Sequence, residues 1–169
     1  SRRQRQMCIR DRSGTYQNHD RITKVTIPAG VVSVDETAFA GCYGITGFTV
    51  DPANAGLSSD ADGVLFSKDG SLLLRYPVGK HQSSGTYRIP AGVVNVGGYA
   101  FEGYNTPGIE IPSNVRVIGD YAFANTRNFN GVTKWEEGTQ TIGTFAFYKC
   151  TNLKLLDQSA LPASVTKLG

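Results

Sequence analysis

Long hydrophobic runs are missing from this chain: its strongly apolar stretches, such as Val64-Leu65-Phe66 and Leu72-Leu73-Leu74, are only three residues long. A helix that crosses a bilayer needs about 20 apolar residues, so direct membrane insertion is not expected. Histidine is equally scarce, with only His19 and His81, both in polar, turn-rich stretches. No G-x-S-x-G, P-loop, H-E-x-x-H or C-x-x-C pattern occurs. The usual hydrolase, nucleotide-binding, zinc and thiol-redox chemistries therefore have no foothold, and no catalytic residue, cofactor or metal site is read from the chain.

Basic charge is scarcer than the total suggests. The net +3 comes from 17 Lys and Arg against 14 Asp and Glu, but five of the arginines and one Asp fall in Ser1–Arg12, leaving 12 basic and 13 acidic residues elsewhere. A nucleic-acid partner needs a basic patch on the folded part, and none is expected here. Met7-Cys8-Ile9-Arg10-Asp11-Arg12 resembles the translated end of a sequencing-library adapter. Residues 1–12 are therefore read as an adapter artefact or a disordered arm, and residues 13–169 as a single solenoid fragment.

What the chain does have is repetition. Ala-Phe recurs as Ala38-Phe39, Ala100-Phe101, Ala122-Phe123 and Ala146-Phe147, with 22 residues between the second and third Ala and 24 between the third and fourth. Upstream stand Ile27-Pro28, Ile89-Pro90, Ile111-Pro112 and Trp135-Glu136, and seven residues beyond them Asp35, Gly97, Gly119 and Gly143. A fifth copy begins at Leu161-Pro162 and reaches Gly169. Units this short cannot enclose a core and become stable only by stacking on their neighbours. The copies are placed near 22–47, 86–107, 108–131, 132–156 and 157–169.

One copy shows how a rung would form. Ile109 and Ile111 alternate with Glu110, the mark of a short strand with one face inward. Pro112 ends the strand, Val115 and Ile118 return to the core, and Gly119-Asp120 opens a short helical turn that carries Tyr121-Ala122-Phe123. The aromatic residues at these core positions, Phe39, Tyr87, Phe101, Phe123, Trp135 and Phe147, are read as core packing, with the four phenylalanines lining one spine. Copy four is the weakest, because Thr133 and Thr139 replace larger apolar groups. Cys42 and Cys150 share one slot in the first and fourth rungs; at about 4.8 Å per rung they stand roughly 14 Å apart, too far for a disulfide.

Between the first two copies, about 48–85, lies an insertion. Gly63–Ser67 and Ser71–Tyr76 flank Lys68-Asp69-Gly70, the pattern of a β-hairpin, which either covers one face of the solenoid or extends its sheet. Asp60-Ala61-Asp62-Gly63 with Asp69 partly matches a calcium loop, but Ser58 stands at position one and a strand interrupts the loop. An Asp-Gly turn is the simpler reading.

The phrase I-P-x-x-V-x-x-I-G-x-x-A-F-x-x-C resembles the leucine-rich repeats of BspA-like bacterial surface proteins, and the insertion resembles a hairpin module common among them. Departures are Trp135-Glu136 for Ile-Pro, Asp35 for Gly, and Tyr104 and Thr126 for Cys. The resemblance implies a β-rich solenoid of stacked parallel strands, displayed at a cell surface or secreted, that engages a protein or extracellular-matrix ligand. It carries no active site to transfer.

Stacking would set the outward strand residues Thr26, Arg88, Glu110 and Lys134, and further on Ala160, in one row, the candidate partner-binding face. Alternatives are a structural spacer, or the accessory repeats of a larger secreted enzyme. Unpaired strand edges lead us to expect self-association.

Overall fold

The structure, a computed structural model, describes residues 17–80, 85–105, 108–126, 132–151 and 161–169. The readings placed on residues 1–12, His81, Ala160 and the side chain of Thr133 lie outside them. Twelve strands follow in chain order among the described residues: β1 (Lys24–Ile27), β2 (Gly47–Val50), β3 (Leu57–Ser59), β4 (Leu65–Ser67), β5 (Leu72–Arg75), β6 (Thr86–Arg88), β7 (Asn95–Val96), β8 (Gly108–Ile111), β9 (Val117–Ile118), β10 (Val132–Trp135), β11 (Thr141–Ile142) and β12 (Lys167–Leu168).

The second, third and fourth coils each make a strand ahead of the Ile-Pro position (Trp-Glu in the fourth) and a two-residue strand ahead of their Gly, whereas the first coil makes only the former and β12 supplies the latter in the fifth. The first kind pair in parallel as β1–β2 and as β6–β8–β10; the second pair in parallel as β7–β9–β11–β12. Trp135 falls opposite Ile111, so the indole does occupy the isoleucine slot. Its Nε1–H donates to the buried Thr139 hydroxyl at 2.9 Å. Thr139 thus satisfies the indole N–H and is not a mere loss of apolar bulk.

The insertion extends the sheet. β3, β4 and β5 form an antiparallel meander, and β5 then lies parallel to β7, giving a seven-stranded sheet in the order β12-β11-β9-β7-β5-β4-β3. β2 was expected to begin the insertion. It pairs with β1 along its full length, Lys24 with Gly47 through Ile27 with Val50.

The expected helical turn does not form. Tyr99, Tyr121 and Phe145 have φ of +58°, +53° and +54°, and Gly103, Asn125 and Lys149, four residues on, are again left-handed. A right-handed helix cannot pass through such residues. The reason is hydrogen bonding between coils. The N–H groups of Tyr99, Phe101 and Gly103 donate to the carbonyls of Asp120, Ala122 and Ala124, and those of Tyr121, Phe123 and Asn125 to Thr144, Ala146 and Tyr148, at 2.7–3.0 Å. Alternate N–H groups close turns within the coil, as Ala100 does on Gly97 and Glu102 on Tyr99. Half the donors are therefore spent sideways, where a helix would spend them all internally.

Phe101, Phe123 and Phe147 stack at 5.1 and 5.2 Å with planes 5° and 3° apart. Tyr76 of the insertion continues the column at 5.4 Å from Phe101, and its N–H donates to Ala100 as the repeat phenylalanines do to the next coil. Phe39 departs from the expected single spine. It belongs to a second cluster with Val25, Ile27 and Phe48, packing edge-on to Phe48 at 5.2 Å. The remaining core, Ile89, Val93, Val96, Ile109, Ile111, Val115 and Ile118, is buried as the alternation requires, each side chain contributing roughly 1.5–3 kcal/mol.

Candidate partner-binding faces

Parallel register brings three of the four predicted residues together. Arg88 lies opposite Glu110, and Lys134 lies opposite Glu110 on the other side. The three outward side chains therefore step across β6, β8 and β10 at about 4.8 Å per strand. Thr26 does not join them: it sits on β1 opposite Thr49, in a separate two-stranded sheet. The row is internally paired, with Arg88 Nε 3.9 Å from Glu110 Oε2 and Lys134 Nζ 2.7 Å from Glu136 Oε1. Lys134, and then the Ser113 N–H, hold the Glu136 carboxyl below its usual range. Exposed pairs of this kind are worth no more than about 1 kcal/mol, so a partner could displace them.

The acidic residues of the insertion are occupied by turns. Asp60 Oδ1 accepts the Val64 N–H at 2.8 Å, Asp62 pairs with Lys80 at 2.6 Å, and Asp69 accepts from the Ser67 and Ser71 hydroxyls. Among the described residues no cluster of three metal-ligating side chains is assembled. No disulfide joins Cys42 to Cys150, and burial pushes the pKa of both thiols up.

Charge is also placed inside. Arg75 is 3% exposed and Glu102 5%, and Arg75 Nη2 lies 3.5 Å from Glu102 Oε2. Arg75 Nη1 donates to the Tyr99 carbonyl. Glu102 further accepts the Gly41 N–H at 2.8 Å, the Tyr43 hydroxyl at 3.1 Å and Asn125 Nδ2 at 3.1 Å. One buried carboxylate thus links the first coil, the insertion and the next two coils. Nothing in the repeat phrase signalled this, because Ala40, Ala124 and Tyr148 fill the Glu102 slot elsewhere.

Rings that lie outside the expected core positions line the turn face. Tyr99 and Tyr121 stack at 5.1 Å with planes 6° apart, Tyr121 meets Phe145 at 5.3 Å, and Phe145 meets Tyr148 at 5.6 Å. Phe145 is 54% exposed and Tyr148 44%. Lys149 Nζ rests 5.2 Å from the Tyr148 ring centre. The signal was present as an aromatic directly before Ala in Tyr99, Tyr121 and Phe145. Its outward direction follows from the left-handed backbone, which periodicity does not reveal.

A solenoid of parallel strands with an Ile-Pro corner and a stacked phenylalanine column is a leucine-rich repeat protein. The chain belongs to the BspA type leucine rich repeat family, whose model matches six copies over residues 12–61 and 80–169. That is one copy more than the five read from the phrase, and it leaves out 62–79, where β4 and β5 lie. No curated protein matches the chain. Among solved structures it is similar to the pneumococcal vaccine antigen PcpA, at 28% identity and a TM-score of 0.78, over 88% of this chain and 35% of that one. A leucine-rich repeat protein of Bacteroides capillosus is 30% identical with a TM-score of 0.52, over 67% of this chain and 81% of that one. A leucine rich cell surface protein of Faecalibacterium prausnitzii, 22% identical with a TM-score of 0.61 over 86% of this chain and 43% of that one, shares the fold. The chain thus spans well under two thirds of PcpA and of the Faecalibacterium protein.

Proposed function

We propose that this solenoid is a non-enzymatic, protein-binding module displayed at a bacterial cell surface, where it adheres to a host protein or an extracellular-matrix component. The observation that supports this most is the registered row Arg88–Glu110–Lys134, a rigid array of exposed side chains at fixed spacing of the kind repeat proteins offer to extended partners. Similarity to a vaccine antigen and to a cell surface protein supports the location. Replacing Arg88, Glu110 and Lys134 together by alanine is expected to lower adhesion to host cells or immobilised matrix about tenfold. Unchanged adhesion removes this face from consideration.

The internal pairing Arg88–Glu110 and Lys134–Glu136 favours a second reading, a spacer whose row is self-satisfied. In that case the triple variant leaves adhesion intact while the full-length protein still needs the repeats for reach.

A further inference from the structure

The turn face carries what the strand face lacks, a contiguous set of rings, with Phe145 and Tyr148 exposed and Tyr99 and Tyr121 half-buried. Folding alone does not demand them. A bulky residue in the left-handed region costs roughly 1–2 kcal/mol, and the first coil makes its turn with Thr37 in that slot, outside the left-handed region. Three coils nevertheless place Tyr99, Tyr121 and Phe145 there, and strained backbone of this kind collects at functional sites.

Charge indicates what such a strip would accept. Glu36 reaches the foot of Tyr99: a Cβ built on Gly98 would lie 2.4 Å from Glu36 Oε2. Asp120 precedes Tyr121 and spends one oxygen on the Thr144 N–H at 2.7 Å. Neither carboxylate has an ion-pair partner among the described residues. Burial first, then Tyr121, Glu102, Asp120 and Glu36, push the Tyr99 phenol up, so the field of these carboxylates falls on the strip. Electron-rich ring faces beside unneutralised carboxylates suit a guanidinium or ammonium, which can stack on a ring while donating to an acid. Lys149 above Tyr148 is such a cation already seated on the same strip. Anionic lipid headgroups would be repelled by Glu36 and Asp120.

We propose that Tyr99, Tyr121, Phe145 and Tyr148, with Glu36 and Asp120, form a second docking surface for a basic, arginine- or lysine-bearing segment of a partner protein. This surface is distinct from the strand face, and its test is built to separate the two. The probe is a short synthetic peptide of alternating Arg and Ser, titrated into the whole chain by calorimetry beside its Glu-Ser counterpart. The Arg peptide is expected to bind and the Glu peptide not to bind. Tyr99→Gly with Tyr121→Gly and Phe145→Gly should weaken binding at least about tenfold; glycine accepts these φ angles without strain, so circular dichroism and the melting temperature should show the fold retained. Glu36→Gln with Asp120→Asn, which leaves every ring in place, should weaken binding about fivefold and flatten its salt dependence. Arg88→Ala with Glu110→Ala and Lys134→Ala should leave peptide affinity unchanged. The proposal is overturned if the Arg peptide fails to bind at millimolar concentration, if the Glu peptide binds as well, or if either the ring or the carboxylate variant binds like the unaltered chain.

Discussion

Tyr43 reports on the charge buried beneath it. Its hydroxyl donates to Glu102, and burial followed by that carboxylate pushes the phenol up to about 12. Below pH ~10 the ring is neutral in both folded and unfolded chains. Between ~10 and ~12 the unfolded chain loses this proton while the folded chain keeps it, so stability falls as pH rises across that window. Tyrosinate absorbance of the protein, less that of Tyr43→Phe, should show a step near pH 12. A step at the ordinary tyrosine value contradicts the Tyr43–Glu102 contact.

Among the elements, backbones approach closely where the Gly of one coil lies against the previous coil. A Cβ at Gly119 would stand 2.6 Å from the Gly98 nitrogen and 2.7 Å from the Gly97 carbonyl carbon, whereas one at Gly30 meets nothing within 4 Å. Gly119→Ala should therefore cost about 2–3 kcal/mol by prising the coils apart, and Gly30→Ala less than about 0.5 kcal/mol, compared by urea denaturation. Much of this layer was legible beforehand. The Ile-Pro corner and the recurring Gly located the strands, and alternation of Ile109, Glu110 and Ile111 located their inner faces. The turn was misjudged, because Asp120-Tyr121-Ala122-Phe123 looks helical until the neighbouring coil claims alternate N–H groups. β2 escaped notice because Val50-Asp51 carries no Ile-Pro. Of the candidate face, three residues fell into register, while Thr26 went to another sheet because the insertion intervenes.

For the molecule as a whole, the Arg75–Glu102 pair works as an internal rivet. Glu102→Ala leaves a guanidinium buried without its counter-charge, and a loss of about 3–5 kcal/mol is expected, with the first coil and the insertion loosening together in hydrogen exchange. A loss below about 1 kcal/mol would show that the network is dispensable. At the far edge of the seven-stranded sheet, β12 presents Leu168, 64% exposed. An unpaired strand edge invites pairing with other copies, so sedimentation of residues 1–169 taken alone should show concentration-dependent association that Leu168→Lys diminishes; a monomer at all concentrations refutes this.

The insertion does more than interrupt. With Tyr76 standing in the phenylalanine column and β5 lying beside β7, it offers its neighbour the same sockets that a plain coil offers. It seats on the second coil as a plain coil would, yet it cannot be taken out without leaving Glu102 buried and stripped of Arg75.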